Sequence, residues 1–268
     1  PTARRRKSAK QGERERKQQI EQTKQIWDKI VTFIRSLQPT TERQALIQEM
    51  EDLFYYVKER LFLRFKERFQ QSFNPAVLQS GERSMKENLK ASTHELVDSI
   101  GFDLVQEMRA TSLRIEAFLQ KRMLDVFNDM EKNIHELATA EFLHAFEFEK
   151  VDSPEIEERF YTINIQQLYP LLSIFKNPKQ FFEQNGQDEM REAFEQAFQK
   201  PVEEYLQTSL EQFKQHYETV FSNSVERLQT ELEKETSDYF EGKLAVLSAY
   251  VDLHLLETTY SKIKENLT

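Results

Sequence analysis

The stretch TERQALIQEMEDLFYYVKERLFLRFKERFQQSF, residues 41–73, decides the fold. Apolar residues recur along it at steps of three and four, the spacing of one face of an α-helix. Thr41 and Gln44 form a capping-box pattern ahead of this face, so the helix is predicted to begin there. A helix with an apolar face this wide is expected to pack on two sides. The main face holds Leu46, Met50, Leu53, Val57, Leu61, Phe65 and Phe69, and Phe54, Phe62 and Phe73 widen it.

The residues before this stretch continue the helical pattern. Two interleaved apolar series run from Ile20 to Leu37 and stop at Pro39, which predicts a first helix over about residues 12–38. Residues 1–17 carry eight Arg or Lys and two Glu and are interpreted as a basic linker or helix start. The alternative is a contact with nucleic acid or anionic lipid. No aromatic residue is interleaved with these charges, so no nucleic-acid partner is expected.

The residues after this stretch predict two further long elements. Asn74-Pro75 and Ser80-Gly81 mark a reversal, after which residues 84–149 keep helical steps. A continuous helix of that length would measure about 100 Å. Ser153-Pro154 and Asn177-Pro178 break residues 150–186 into short pieces. The helical period returns at Gln187, and Pro201 either kinks this helix or begins a new one in line with it.

Composition supports the same fold class. The chain has 268 residues but only 5 Gly and 7 Pro, which excludes folds that need many tight turns. We therefore predict an all-α fold, an elongated antiparallel bundle of long helices with a short-helix and loop tip. Cys is absent, so disulfides and thiolate metal sites are excluded. Since residue 1 is Pro and no signal-peptide core occurs, the sequence is expected to be an internal fragment of a larger soluble protein.

Enzymatic signatures are missing from the sequence. Neither the pattern G-x-x-x-x-G-K-[ST] nor G-x-G-x-x-G occurs, and the five His residues are scattered without metal-ligand spacing. We assign no catalytic, cofactor-binding or metal-binding residue, and this chain is not expected to be an enzyme by itself.

The longest uncharged run is FYTINIQQLYPLLSIF, residues 160–175. It lacks the roughly 20 consecutive apolar residues that a membrane-spanning helix needs. One interpretation is a loop whose apolar side chains plug the end of the bundle. The other is an element at the tip that enters the headgroup layer without spanning it. The membrane-contact candidates are Ile163, Ile165, Leu168, Leu171, Leu172, Ile174 and Phe175.

Three short motifs carry a resemblance to a known family. They are SFNP at residues 72–75, SPEIEER at residues 153–159 and KNPKQFFEQ at residues 176–184. Together they resemble the helical region that follows the GTPase domain in bacterial dynamin-like proteins, especially the two-headed Bacillus type. The resemblance covers about residues 18–265, and the last motif is the most distinctive of the three.

The resemblance implies a membrane-remodelling GTPase whose helical neck and trunk are joined by hinges, with a lipid-binding paddle remote from the head. Residues 18–75 then correspond to neck helices, 76–149 to a long trunk helix, 150–186 to the paddle and 187–268 to a return helix. Every GTPase motif is missing here, so GTP and Mg²⁺ are implied for the parent protein and no cofactor for this chain. The hinge candidates are Pro39, Thr40, Thr41, Pro75 and Pro201.

The implied partners are membrane lipid, further copies of the chain and the GTPase head of the same parent. The implied location is cytoplasmic, on the inner face of the cell membrane. A helical scaffold or coiled-coil adaptor without lipid affinity is the alternative function. The residues 160–175 distinguish the two hypotheses, because a scaffold would bury them and a membrane-binding protein would expose them.

Overall fold

The computed structural model describes residues 2–137 and 186–266, and within them it contains helices and no strand. The prediction of an all-α bundle is thereby confirmed. The membrane-contact candidates between Ile163 and Phe175 lie outside the described residues. The helices are α1 (Thr2–Ser36), α2 (Thr40–Ser72), α3 (Pro75–Leu78), α4 (Met85–Leu137) and α5 (Gly186–Asn266).

Helix α1 begins earlier than the apolar pattern predicts. It is helical from Thr2, so the basic residues up to Lys17 belong to the helix and do not form a separate linker. Charged residues such as Arg and Lys are good helix formers. A helix can therefore extend past its last apolar contact, and periodicity alone places its start too late.

The chain divides into two compact units, which we describe separately. Within the described residues, unit 1 contains 2–42, 122–137 and 221–266, and unit 2 contains 43–121 and 186–220. The chain passes between the units at three described places. These are Glu42–Arg43, Lys121–Arg122 and Val220–Phe221.

Unit 2 is built on an aromatic core between α2, α4 and α5. Phe54 meets Phe213 with ring centroids 5.3 Å apart, and Phe65 meets Phe198 at 5.4 Å, so α2 and α5 run antiparallel. The predicted apolar face of α2 is buried except at Leu53 and Phe62, which are half-buried. One continuous cluster contains Phe65, Phe69, Phe73, Leu78, Leu89, Leu96, Val97, Ile100, Met190, Phe194 and Phe198.

Helices α4 and α5 run parallel within unit 2. Leu96 and Phe194 share the buried cluster, and further along both helices the hydroxyls of Ser112 and Tyr217 lie 2.9 Å apart. This pair differs from the fold-back expected from the sequence, because helical periodicity specifies which face is buried but not the direction of the neighbouring helix.

Unit 1 packs the first helix against the second half of α5. Trp27 stacks on Phe240 with ring centroids 6.1 Å apart, and Ile30 and Ile34 are fully buried. Both isoleucines belong to the apolar series that the sequence predicts for α1. Helix α4 adds its own buried residues to this unit. They are Met123, Val126, Phe127, Met130 and Ile134.

Candidate functional site

The α1–α2 junction is the non-helical segment 37–39, and three hinge candidates lie in it or directly after it. Pro39 is half-buried and ends this segment, while Thr40 and Thr41 are exposed in the first turn of α2. The Gln38 carbonyl accepts from the Thr40 amide at 2.8 Å and from the Thr40 hydroxyl at 3.3 Å. Such bonds between near neighbours turn the chain but do not attach the junction to the rest of unit 1.

Side chains of α5 make the long-range attachments of the junction. The Gln229 amide nitrogen donates to the Ile34 carbonyl at 2.9 Å and to the Leu37 carbonyl at 3.3 Å. Arg35 donates to both carboxylate oxygens of Glu233. This hydrogen bonding, and secondarily the Arg35 charge, lowers the pKa of Glu233 below its usual value.

The hinge candidate Pro75 lies in a second interruption, residues 73–84, which we call the α2–α4 loop. Pro75 is the first residue of α3, and the side chain of Asn74 caps that short helix by accepting from the Ala76 amide at 3.0 Å. Phe73 and Leu78 are fully buried in the aromatic cluster. Gly81 turns the chain with a φ of 85°, in the left-handed region that favours glycine.

The α2–α4 loop is attached to both neighbouring long helices. Asn88 of α4 donates to the carbonyls of Leu78 at 2.8 Å and Ser80 at 3.1 Å. Gln187 of α5 donates to the Phe73 carbonyl at 3.2 Å. These bonds attach the loop to α4 and α5, and its buried side chains anchor it as well.

A reciprocal capping box begins α4. Glu87 accepts from the Ser84 amide at 2.9 Å and the Ser84 hydroxyl at 2.8 Å, and the Glu87 amide donates back to that hydroxyl. The Ser84 amide and then its hydroxyl lower the pKa of Glu87 below its usual value. The S-x-x-E pattern of residues 84–87 is a capping-box signal at the helix start that the apolar pattern predicts near residue 84.

The remaining hinge candidate, Pro201, lies inside α5, which continues on both sides of it. The alternative that a new helix begins at Pro201 is therefore wrong. Pro201 is half-buried beside the fully packed Phe198 and Val202. Packing of this kind keeps a helix in place where proline removes one backbone hydrogen bond.

A row of charges joins α2 to α4 in unit 2, and we call Arg60, Arg64, Arg68, Asp103 and Glu107 the arginine ladder. Arg68 binds Asp103 through two bonds of 2.7 and 2.8 Å, and Arg60 binds Glu107 at 2.8 and 3.0 Å. Arg64 lies between them, 3.0 Å from Glu107 and 4.0 Å from Asp103. Both carboxylates are buried.

The ladder has a signal in the sequence that helical periodicity of apolar residues does not include. Its arginines recur every four residues on α2 and its acids are four residues apart on α4, so each set lies on one helix face. Because buried carboxylates need compensating partners, the ladder holds the two helices together. It offers no free group for chemistry.

Three of the five described helices, α2, α4 and α5, have an acidic first turn, whereas α1 and α3 do not. A helix N-terminus attracts anions, but each of these three already carries acidic residues in its first turn. They are Glu42 in α2, Glu87 in α4, and Asp188 and Glu189 in α5. Within residues 2–137 and 186–266, no group of three or more His, Asp or Glu side chains could hold a metal ion.

The helices were also compared with the requirements of a membrane-spanning segment. Among the helices of residues 2–137 and 186–266, none combines the length and the apolar character that crossing a bilayer requires.

The chain is similar to Dynamin-like protein A of Bacillus subtilis (strain 168), with 23% identity over 215 residues. The match covers 76% of this chain but 17% of that protein, so the chain spans a small part of its relative. No family model matches the chain, and no solved structure matches it. The resemblance to bacterial dynamin-like proteins that the motifs indicate is confirmed by this relative.

Proposed function

We propose that this chain is the helical neck and trunk of a dynamin-like GTPase that binds and remodels membranes. The observation that carries the proposal is the similarity to Dynamin-like protein A over 215 residues. The long helices of residues 2–137 and 186–266 support it, because a neck and trunk need long helices. In this proposal GTP and Mg²⁺ bind to the GTPase head of the parent, and calorimetry on this chain alone is expected to show no saturable GTP binding.

The mechanism of the proposed function is leverage between the head and the lipid. Movement of the head reaches the trunk through the α1–α2 junction, where few bonds resist a change in backbone angles. Lipid is contacted by residues 160–175, and copies of the chain associate along their helices. The protein then works at the inner face of the cell membrane as a peripheral protein.

Liposome co-sedimentation tests the lipid contact. Fully burying an apolar side chain contributes about 1.5–3 kcal/mol, so several of them can hold a helical protein on lipid. Replacing Leu171 and Leu172 together by Asp is expected to release the chain into the supernatant without lowering its helicity or its melting temperature.

A matched control separates the loss of the lipid contact from the effect of adding two negative charges. Leu113 and Leu124 are exposed leucines on one face of α4, and replacing both by Asp adds the same two charges. This control is expected to sediment like the unmodified chain. An unmodified chain that stays in the supernatant, or a Leu171/Leu172 variant that loses its fold, would favour the alternative of a scaffold without lipid affinity.

A further inference from the structure

One face of α5 holds the last turn of α1. Gln229 reaches the carbonyls of Ile34 and Leu37 at 2.9 and 3.3 Å. Glu233 accepts from Arg35. Residues four apart lie on the same face of a helix, so Gln229 and Glu233 engage the same turn of α1.

The last carbonyls of any helix lack partners within the helix. At the end of α1, local donors satisfy some of them: the Leu37 amide donates to Ile34 at 3.3 Å, and the Ser36 hydroxyl donates to Phe33 at 2.9 Å. Pro39 has no N–H to contribute. The donor to the Leu37 carbonyl comes instead from Gln229, 192 positions away in the sequence.

We propose that Gln229, supported by Glu233, is a clamp that controls the mobility of the α1–α2 junction. While the amide bonds both carbonyls, the end of α1 is fixed to α5 and the junction keeps its turn. When the hydrogen bonds from Gln229 break, residues 37–39 keep only their local hydrogen bonds. Gln229 is thus a positioning residue, and its part in transmitting head movement rests on the proposed function, whereas its control of the junction does not.

Hydrogen–deuterium exchange of the whole chain tests the clamp. Gln229→Met keeps the length and the helix propensity of the side chain and removes its donor. The amides of residues 37–42 are expected to exchange about 3- to 10-fold faster, the change expected for the net loss of an ordinary hydrogen bond. Exchange of residues 73–84 is expected to stay as it is.

Gln187→Met is the matched control, because Gln187 also lies on α5 and donates to a single carbonyl, that of Phe73. It is expected to accelerate exchange near residue 73 and to leave residues 37–42 unchanged. Gln229→Lys restores a donor and is expected to restore protection of the junction.

Three outcomes would overturn the clamp: no change at residues 37–42 in Gln229→Met, acceleration spread evenly over α1 and α2, or no rescue by Lys. None of them depends on lipid. A chain with a working clamp that fails to sediment with liposomes would instead remove the proposed function and leave the clamp in place.

Discussion

The α1–α2 junction and the α2–α4 loop both interrupt long helices next to a proline, yet they are held in different ways. The junction has three non-helical residues and draws its long-range hydrogen bonds from Gln229. The loop buries Phe73 and Leu78 completely and is bonded by α4 and α5. A proline by itself therefore does not predict how firmly the chain is held. The number of buried side chains and long-range bonds around it decides how freely the chain can move there.

The largest expected difference between the two regions lies in their apolar anchors. Leu78→Ala is expected to lower the free energy of unfolding by about 2–5 kcal/mol, because it leaves a cavity in the aromatic cluster. Leu37→Ala is expected to cost less, since Leu37 is only half-buried. Urea unfolding followed by circular dichroism measures both. Equal costs would contradict the distinction between an anchored loop and a lightly held junction.

The next difference concerns side-chain hydrogen bonds. Asn88→Ala leaves the carbonyls of Leu78 and Ser80 without this donor and is expected to cost about 1–3 kcal/mol. Thr40→Ala removes one exposed bond of 3.3 Å to Gln38 and is expected to change stability much less. The same urea titrations compare them, and a larger effect at Thr40 would reverse the ranking of the two regions.

A smaller effect is expected from backbone conformation in the loop. Gly81 has a φ of 85° and nothing within 4 Å of an added Cβ, so Gly81→Ala tests conformation without steric clash. It is expected to lower stability by about 1 kcal/mol. Gly242, inside α5 and equally open, is the control. Gly242→Ala is expected to raise stability by up to about 1 kcal/mol, and thermal melting should show opposite signs for the two variants.

The smallest effects are expected from two carboxylates, the half-buried Glu233 next to the junction and the exposed Glu87 next to the loop. The pKa values of Glu87 and Glu233 are both lowered. Their contribution to stability is thus present above the usual carboxylate range and is lost as pH falls through the lowered pKa. Carboxyl NMR titration is expected to show a larger recovery of the Glu233 pKa in Arg35→Gln than of the Glu87 pKa in Ser84→Ala. The reason is that the Ser84 amide, the first cause for Glu87, survives the substitution.

The buried faces of the helices could be predicted from the sequence. Ile30, Met50 and Leu61 lie in the apolar series and are buried in the structure. Their burial follows from a period of 3.6 residues, which is a local property of the sequence. The same property did not specify that α4 and α5 run parallel, because a helix presents the same apolar stripe to a neighbour of either direction.

The attachments of the junction could not be predicted from the sequence. Gln229 is 195 positions from Ile34, and nothing distinguishes it from the other glutamines of α5 before the two helices are packed together. Pro39 and Pro75 are both hinge candidates in the sequence, because the tertiary contacts around a proline are not visible there. The sequence identifies a proline, while the burial of Leu78 and the bonds of Asn88 emerge only from tertiary packing.

The arginine ladder has three cations for two anions, all spaced by one helical turn. If α2 slid by one turn along α4 in either direction, each carboxylate would still meet at least one guanidinium. The ladder therefore resists separation of α2 from α4 but does not by itself fix their register to within one helical turn. The register is selected by the packed aromatic rings of the core, such as Phe65 against Phe198.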